Sequence, residues 1–309
     1  MSQRLPDFIV IGGMKCGTSA LHEQLSGSDA FYMSEPKEPN FFSNDSQYAH
    51  GIEWYGSLFS GARADQFVGE SSTHYTKLPT YPNTVSRLAE ALPRVKLIYV
   101  LRDPIERLIS QYIHEWSERN VSGDINQAVS EFPELVYYSK YAYQLRPYLK
   151  QFGPSQLLSI SFERMKQEPN AVLNEISAFV GGPTGDWSEQ LATKNPSSER
   201  LRKSRLLTLL MDTPGLRELR RGLVPRAWRN RLKRFWMINE RPTLGPETRA
   251  MVQEALEPEV AELGRWLGRD LTVENFSAAL ADGPLSWTSH APRPDERKTR
   301  SVAAVSHHG

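Results

Sequence analysis

The sequence predicts an α/β fold, in which a central parallel sheet is flanked by helices and a helical part follows at the C-terminal end. Three observations support this. Short apolar runs alternate with segments of helical periodicity, the first run leads directly into a glycine-rich loop, and the later chain carries the pattern of an amphipathic helix. Apolar strands of this kind are buried on both faces, which is typical of a parallel sheet covered by helices.

The first unit runs from residue 7 to residue 25. Residues 7–12 (DFIVIG) form an apolar run that ends in glycine and predicts a buried strand. Residues 12–18 follow as a loop, and residues 19–25 place Leu21 and Leu25 on one helical face. A strand, a glycine-rich loop and a helix in this order indicate the start of a βαβ unit, so we expect a P-loop-like sheet.

The remaining elements continue this alternation. Residues 66–70, 95–101 and 156–162 are predicted strands, and 95–101 has the strongest strand pattern. A helix is predicted from Pro104, and residues 170–180 predict another that stops at two glycines. The last predicted helix is marked by Val252, Leu256, Val260, Leu263 and Leu267.

The domain organisation follows from these patterns. We expect a single domain over residues 1–282, with a core at 6–181 and a helical basic extension at 195–282, and a disordered tail at 283–309. Residues 200–234 carry twelve Lys or Arg against two acids. This stretch is a candidate for peripheral contact with an anionic membrane, although most charge runs are simply solvated.

The composition excludes several classes of protein. With 39% hydrophobic and 24% charged residues the 309-residue chain is globular, and a net charge of +1 argues against nucleic-acid binding. No apolar run reaches the roughly 18 residues of a membrane span, and the N-terminus leaves no room for a signal peptide. Cys16 is the only cysteine, so no intrachain disulfide can form. These features predict a cytoplasmic protein.

The loop after the first strand has the features of a phosphate-binding turn. A helix N-terminus attracts anions, Lys15 adds a mobile charge, and Thr18 and Ser19 add hydroxyl donors. The loop reads G-x-K-x-G-T-S, whereas the magnesium-nucleotide P-loop places its lysine after the last glycine. A P-loop kinase that uses Mg-ATP shares the strand, loop and helix and stays an alternative, but the order of lysine and glycine argues against it, and Asp103 is only the nearest candidate for the metal.

Four segments resemble those of sulfotransferases that use 3′-phosphoadenosine 5′-phosphosulfate (PAPS), in particular the bacterial members of the heparan-sulfate sulfotransferase branch. Residues 13–19 (GMKCGTS) resemble the 5′-phosphosulfate loop, and residues 100–110 (VLRDPIERLIS) resemble the 3′-phosphate segment. Residues 37–42 (KEPNFF) resemble the E-P-x-F-F stretch, and residues 69–75 (GESSTHY) resemble the acceptor-side segment. The resemblance implies the sulfotransferase fold.

The resemblance also implies an activity, the transfer of a sulfonyl group from PAPS to a hydroxyl or amine by in-line displacement. Adenosine 3′,5′-bisphosphate would be the product, and no metal would be required. Lys15 would stabilise the leaving phosphate and Glu38 would act as the base. The residues implied to hold the nucleotide are Lys15, Cys16, Gly17, Thr18, Ser19, Arg102 and Ser110. The residues expected to contact the acceptor are Lys37, Glu70 and His74.

Several alternatives stay open. The acceptor can be a carbohydrate, a lipid such as a glycolipid, or a small metabolite, and Glu35 and His74 compete with Glu38 as the base. Ser71 stands where heparan-type enzymes have a lysine, which argues against a highly sulfated glycan as the acceptor. Residues 195–204 (NPSSERLRKS) are the nearest candidate for the basic loop that closes over PAPS. A non-catalytic nucleotide- or glycan-binding protein on the same scaffold is the remaining alternative.

Overall fold

The computed structural model describes residues 4–188 and 241–295. Its centre is a five-stranded sheet in the order β2-β3-β1-β4-β5, and every neighbouring pair of strands is parallel. The strands are β1 (Phe8–Gly12), β2 (Phe31–Met33), β3 (Phe67–Ser71), β4 (Lys96–Leu101) and β5 (Leu157–Ser161). The predicted α/β class with a parallel sheet is confirmed.

Helices flank the sheet and connect its strands. They are α1 (Thr18–Ser26), α2 (Asp45–Tyr48), α3 (Gly51–Ser57), α4 (Thr84–Ala91), α5 (Pro104–Glu118), α6 (Ile125–Glu131), α7 (Glu134–Tyr137), α8 (Tyr141–Phe152), α9 (Phe162–Gln167), α10 (Pro169–Val180), α11 (Pro246–Leu267) and α12 (Phe276–Ala279). Two short 3₁₀ helices lie at Thr73–Thr76 and Pro154–Gln156. The sequence predicted α1, α5, α10 and α11 to within a few residues, and it did not predict the short helices between β2 and β3 or α8.

The core lies on both faces of the sheet because successive side chains of a strand point to opposite sides. In β1, Phe8 and Val10 belong to one buried cluster, together with Leu21 of α1 and Ile176 of α10. Ile9 of β1 belongs to the other cluster, which contains residues of α5, α8 and α11. Burying one such aliphatic side chain stabilises the fold by about 1.5–3 kcal/mol, which explains why β1 is apolar throughout.

Helix α5 begins directly after β4 and is fixed by its N-cap. The Asp103 carboxylate accepts hydrogen bonds from the N–H groups of Ile105 and Glu106, at 3.0 and 2.9 Å. Pro104 occupies the first turn, where its missing N–H costs nothing. A cap of this kind contributes about 1 kcal/mol, and it sets the direction in which the chain leaves Arg102.

The segment after residue 283 packs against the core, which corrects part of the predicted disordered tail. Leu285 and Ala291 are buried, and the indole N–H of Trp287 donates to the carbonyl of Leu157 at 2.6 Å. The Thr288 N–H also donates to the carbonyl of Trp266 in α11, at 2.7 Å. The composition of the segment is polar, so it predicted disorder. Composition does not show that Leu285 and Trp287 pack against the folded part of the chain.

Part of the predicted organisation lies outside the described residues. This applies to the basic stretch 200–234, the loop candidate 195–204 and the end of the chain from residue 296. Of residues 4–188 and 241–295, none belongs to a helix that is both long and apolar enough to span a bilayer.

Candidate active site

The loops that carry the predicted site residues meet at the carboxyl edge of the sheet. Lys15 follows β1, Glu38 follows β2, His74 follows β3 and Arg102 follows β4. The chain leaves β1 toward β2 on one side and later crosses to β4 on the other, so the strand order reverses beside β1. Open parallel sheets bind ligands at such a switch point, and this edge is therefore the candidate active site.

The loop after β1 requires glycine at two positions. A Cβ atom at Gly12 would lie 2.1 Å from the hydroxyl oxygen of Thr76 and 2.8 Å from the ring of Tyr99, so no larger residue fits. Gly17 adopts a left-handed φ of 87° and is the N-cap of α1, where it contributes no capping side chain. A helix N-terminus without a capping side chain is the arrangement that binds phosphate and other anions.

Lys15 lies in the same loop and has a φ of 69°, in the left-handed region that non-glycine residues rarely adopt. Backbone strain of this kind persists where the surroundings fix the chain, and it is common at functional sites. Of the two hydroxyl-bearing residues that follow, Thr18 is buried and Ser19 is exposed. Both lie in the first turn of α1, beside the loop, as the sequence predicted.

The Cys16 thiol is buried within the loop. Burial raises the pKa of this thiol to about 11, although the positive charges of Arg107 and Arg102 oppose the rise. A thiol that stays protonated at neutral pH is not a nucleophile. Because the Cys16 side chain has no exposed surface, the expected contact with a nucleotide stays one for its backbone amide.

Arg102 connects the segment after β4 with the loop after β1, the two candidate nucleotide-binding segments. Its Nη1 donates to the carbonyl oxygen of Lys15 at 2.8 Å, and its Nη2 lies 3.4 Å from Oε2 of Glu106. The guanidinium carbon lies 4.9 Å from the centre of the Phe162 ring, so the aromatic face holds it in place. The structure thus brings Lys15 and Arg102 together, as one nucleotide spanning both motifs requires.

Arg107 lies deeper than Arg102 and has no exposed surface. Its Nε donates to the Ser139 hydroxyl at 2.6 Å and its Nη2 donates to the Leu135 carbonyl at 2.7 Å, whereas Nη1 has no hydrogen-bond partner among the described residues. Burial lowers the pKa of Arg107, and its positive charge opposes the rise in the pKa of the Cys16 thiol in the loop after β1. The sequence analysis gave Arg107 no role.

Glu38 lies on the loop after β2, also with a left-handed φ, of 60°. Its Oε1 accepts hydrogen bonds from Nζ of Lys37 at 2.9 Å and from the hydroxyl of Thr73 at 3.2 Å. The Glu38 side chain is 29% exposed and that of Lys37 is 25% exposed, so both are accessible at the rim of the site. Burial acts to raise the pKa of Glu38, but Lys37, Lys77 and His74 outweigh it and hold the pKa below its ordinary value.

Two histidines lie close enough to Glu38 to interact with its charge. His22 of α1 has its Nδ1 3.0 Å from the Ser71 hydroxyl, and burial lowers the pKa of this histidine to about 4. Burial also lowers the pKa of His74 to about 4, and its ring stacks on Tyr81 with a centroid distance of 4.9 Å. Both imidazoles are therefore neutral at physiological pH. His22 links the helix of the phosphate loop to the Glu38 side of the site.

Glu70 does not fit the predicted contact with the acceptor. Its side chain is 0% exposed, and its carboxylate accepts hydrogen bonds from Tyr55, Tyr75 and Ser72 at 2.9, 2.8 and 3.1 Å. Burial raises its pKa to about 7, although the three hydroxyl donors oppose the rise. The Tyr75 hydroxyl also accepts a hydrogen bond from the Phe42 N–H at 3.4 Å. Glu70 therefore holds Tyr75 in place, and Tyr75 in turn contacts the segment that follows Glu38.

Three further residues named in the sequence analysis have definite positions. Asp103, the candidate magnesium ligand of the kinase alternative, has its carboxylate engaged as the N-cap of α5, which disfavours that alternative. Ser110 is buried on α5, three residues after Arg107. Glu35, the competitor of Glu38, is exposed.

Comparison with known families agrees with this geometry. A family model described as the sulfotransferase domain matches residues 5–264. The chain belongs to the sulfotransferase family. The family prediction made from the four sequence segments is confirmed, and the residues matched include every loop of the candidate active site.

This sulfotransferase is similar to several characterised proteins. The bifunctional heparan sulfate N-deacetylase/N-sulfotransferase 3 of Homo sapiens is 31% identical over 210 residues, which cover 61% of this chain and 24% of that protein. The membrane-associated sulfotransferase kil1 of Dictyostelium discoideum is 41% identical over 138 residues, which cover 43% of this chain and 28% of that protein. The chain thus spans only about a quarter of the length of these curated relatives.

A solved structure supports the fold of the sulfotransferase. The crystal structure of a sulfotransferase from Alicyclobacillus acidocaldarius matches with a TM-score of 0.62 at 23% identity, and the match covers 87% of this chain and 98% of that chain. At this identity the likeness concerns the fold, and the function has to be argued from the site.

Sequence reasoning missed two buried cations near the candidate active site, Arg107 and Lys77. Arg107 stands within the segment that resembles the 3′-phosphate motif. The sequence thus showed that an arginine occurs there, but it did not show that this arginine is buried. Lys77 follows the acceptor-side segment and had no signal of its own. It is buried, and Gln144 of α8 holds the adjoining Leu78 from 66 positions away.

Proposed function

We propose that this sulfotransferase moves a sulfonyl group from PAPS to a hydroxyl or amine acceptor by in-line displacement. The observation that carries the proposal is the hydrogen bond between Arg102 and the carbonyl of Lys15, which joins the two candidate phosphate-binding segments at one edge of the sheet. Glu38 lies on a neighbouring loop at the same edge, in reach of an acceptor.

The residues at this edge suit a doubly phosphorylated adenosine. The glycine cradle after β1 and the N-terminus of α1 suit the 5′ end of the donor, with Lys15, Thr18 and Ser19 as side-chain donors. Arg102 suits the 3′-phosphate, because a guanidinium can donate two parallel hydrogen bonds to a phosphate and its present carboxylate partner, Glu106, is itself partly exposed. Bound PAPS would supply the sulfonyl group and a phosphate leaving group.

Lys15 is proposed to stabilise the charge that develops on the leaving phosphate. Positioned cations and N–H groups are most effective where charge accumulates in the transition state, because their orientation is fixed beforehand. The left-handed backbone at Lys15 and the hydrogen bond from Arg102 to its carbonyl supply this fixation. Arg107 adds a buried positive charge behind the loop.

Glu38 is proposed to accept the proton that the acceptor loses as it attacks the sulfur. Lys37, Lys77 and His74 hold the pKa of Glu38 below its ordinary value, so the carboxylate is ionised at neutral pH and available as a base. Glu38 keeps an exposed edge, whereas Glu70 has none, and this difference favours Glu38 as the residue that meets the acceptor.

The acceptor is proposed to be a glycan, a glycolipid or a small metabolite. Relatives named as acting on heparan sulfate support a glycan, including the heparan sulfate glucosamine 3-O-sulfotransferase 3B1 of Mus musculus, which is 30% identical over 196 residues. Those residues cover 58% of this chain and 47% of that protein.

A transfer assay tests the proposal. Purified protein is incubated with radiolabelled PAPS and a pooled extract of glycans, lipids and metabolites, and labelled products are separated and counted. Lys15→Ala is expected to lower the rate by roughly 10²–10³-fold, as for the loss of one oxyanion donor. Glu38→Gln is expected to lower it by roughly 10²–10⁴-fold, as for the loss of a general base.

Glu35→Gln is the matched control, because Glu35 lies three residues away on the same loop and is exposed. It should transfer at the parent rate. Full activity in both the Lys15 and the Glu38 variants would reject the site, and absence of any PAPS-dependent product with the parent protein would reject the function.

A further inference from the structure

The loop that carries Glu38 has a constrained backbone. Glu38 and Asn40 both adopt left-handed φ angles, of 60° and 53°, which non-glycine residues rarely do. Pro39, between them, has no N–H group to donate. A backbone of this kind persists only where the surroundings fix it, so the contacts of this loop decide where the Glu38 carboxylate lies.

Two backbone N–H groups of this loop donate to side-chain hydroxyls of the segment that follows β3. The Asn40 N–H donates to the Ser72 hydroxyl oxygen at 3.1 Å. The Phe42 N–H donates to the Tyr75 hydroxyl oxygen at 3.4 Å. A hydroxyl both donates and accepts, so each of these oxygens can accept from the loop only if its own hydrogen points elsewhere.

The Glu70 carboxylate receives both of those hydroxyl hydrogens. Its Oε2 accepts from the Ser72 hydroxyl at 3.1 Å, and its Oε1 accepts from the Tyr75 hydroxyl at 2.8 Å. The lone pairs of the two hydroxyl oxygens are therefore left for the N–H groups of the loop. An ionised carboxylate accepts hydrogen bonds and donates none, so it fixes the direction of both hydroxyls.

The same segment also contacts the Glu38 side chain. Thr73 follows Ser72 in the chain, and its hydroxyl donates to Oε1 of Glu38 at 3.2 Å. Ser72 and Tyr75, on either side of Thr73, are both held by Glu70. The hydrogen bonds to Glu70 thus support the backbone of the Glu38 loop and also the residue that donates to the Glu38 carboxylate.

Glu70 itself has no access to an acceptor, because its side chain is 0% exposed. Its three hydroxyl donors offset only part of the cost of burying a carboxylate, since burial still raises the pKa of Glu70 to about 7. An apolar residue would avoid this cost, but it could not direct the hydroxyls of Ser72 and Tyr75.

We propose that Glu70 is a positioning residue for Glu38, and that it acts through the hydroxyls of Ser72 and Tyr75. This inference rests on the proposed function, in which Glu38 accepts the proton of the acceptor. Glu70 takes no part in that proton transfer. It keeps the loop in one conformation, so that the Glu38 carboxylate is already oriented when the acceptor binds.

Tyr55 provides a matched control for Tyr75. Both tyrosines are buried and both donate to Oε1 of Glu70, Tyr55 at 2.9 Å. Within the described part of the chain, the Tyr55 hydroxyl forms a hydrogen bond with Glu70 alone. The Tyr55 ring stacks on that of Phe41 at a centroid distance of 4.6 Å, and replacement by phenylalanine keeps this ring. Only Tyr75 joins Glu70 to the loop through its hydroxyl.

The first test measures label transfer from PAPS to the pooled extract, with the PAPS concentration varied. The assays are run at pH 8.5, where Glu70, with a pKa of about 7, is ionised. Tyr75→Phe and Ser72→Ala are expected to lower the apparent kcat by roughly 10–100-fold, because a displacement of about 1 Å at a reacting group can cost roughly 10²-fold. Tyr55→Phe should transfer label at close to the parent rate.

Two measurements on the same variants separate positioning from a general loss of structure. The apparent KM for PAPS and the calorimetric affinity for adenosine 3′,5′-bisphosphate should be unchanged in all three. Amide hydrogen exchange followed by NMR should be roughly 10-fold faster at Phe42 in Tyr75→Phe and at Asn40 in Ser72→Ala, as for the loss of one hydrogen bond. Tyr55→Phe should leave both exchange rates at the parent values.

The inference is overturned if either Tyr75→Phe or Ser72→Ala transfers label at the parent rate, or if neither accelerates exchange in the loop. It is also overturned if Tyr55→Phe is slowed as much as Tyr75→Phe, since the loss would then follow from the buried cluster as a whole. If one of the two loop variants does not fold, the other still decides.

The failure of this inference can be distinguished from the failure of the proposed function. A parent protein that transfers no label and binds no adenosine 3′,5′-bisphosphate would reject the proposed function, and this inference with it. Transfer by the parent, together with parent rates in Tyr75→Phe and Ser72→Ala, would reject the role of Glu70 alone.

Discussion

Replacement of Arg102 by alanine separates its structural contacts from its proposed contact with a phosphate. Arg102 makes a hydrogen bond to the Lys15 carbonyl, a partly exposed ion pair with Glu106 and a contact with the face of Phe162. A neutral-acceptor hydrogen bond contributes about 1 kcal/mol, and a surface ion pair about 0–1 kcal/mol. We therefore expect Arg102→Ala to lower the free energy of unfolding by only about 1–2 kcal/mol.

The expected effect on nucleotide binding is larger. A hydrogen bond to a charged group is worth about 1.5–3 kcal/mol, so loss of the guanidinium should weaken adenosine 3′,5′-bisphosphate by roughly 10- to 150-fold. Arg102→Lys keeps the charge without the planar fork, and its affinity should lie between those of the parent and the alanine variant. The weakening should also shrink at high salt, because the lost interaction is electrostatic.

Isothermal titration calorimetry in metal-free buffer gives the affinities, and urea denaturation gives the free energies of unfolding. A folded Arg102→Ala variant that binds adenosine 3′,5′-bisphosphate within twofold of the parent would refute the assignment of Arg102 to a phosphate. The hydrogen bond from Arg102 to the Lys15 carbonyl would then have only a structural role.

Two more predictions concern stability. Glu70 titrates near pH 7 in the folded protein against an ordinary value of 4.5, so its contribution to stability is complete below pH 4.5 and is lost as the pH rises to about 7. Glu70→Gln should remove this loss, at most about 3 kcal/mol by urea denaturation, and an unchanged pH slope would contradict the burial argument. Trp287→Ala should lower the free energy of unfolding by about 2 kcal/mol without changing nucleotide affinity, because it removes the anchor to Leu157, and unaltered stability would mean that residues 284–295 do not pack on the core.

The strands and the phosphate loop were predictable because they depend on local chemistry. β1 is apolar throughout and β4 is predominantly apolar after Lys96, because both strands are buried on both faces. Gly17 and Pro104 mark helix starts by their backbone preferences. β2 has three residues, which is too short for any periodicity to show, and it was missed. Its place in the sheet is fixed by pairing with β3 rather than by its own sequence.

The roles of the buried charges were not predictable, because contacts distant in sequence determine them. Glu70 resembled a site residue, but Tyr55 and Tyr75 enclose it and make it an internal acceptor. Lys77 carried no signal in the sequence, yet it is buried, and Gln144 of α8 holds the adjoining Leu78 from 66 positions away. A sequence pattern shows which charged residues a chain has, and only the fold shows which of them share a buried site.

The proposed nucleotide site can be tested most directly by calorimetric titration of the parent protein with adenosine 3′,5′-bisphosphate in the presence of a metal chelator. The account predicts binding at one site, with an affinity that falls in both Lys15→Ala and Arg102→Ala. Failure to bind without metal, or equal affinity in the parent and both variants, would contradict the claim that the loop of Lys15 and the guanidinium of Arg102 hold the same nucleotide.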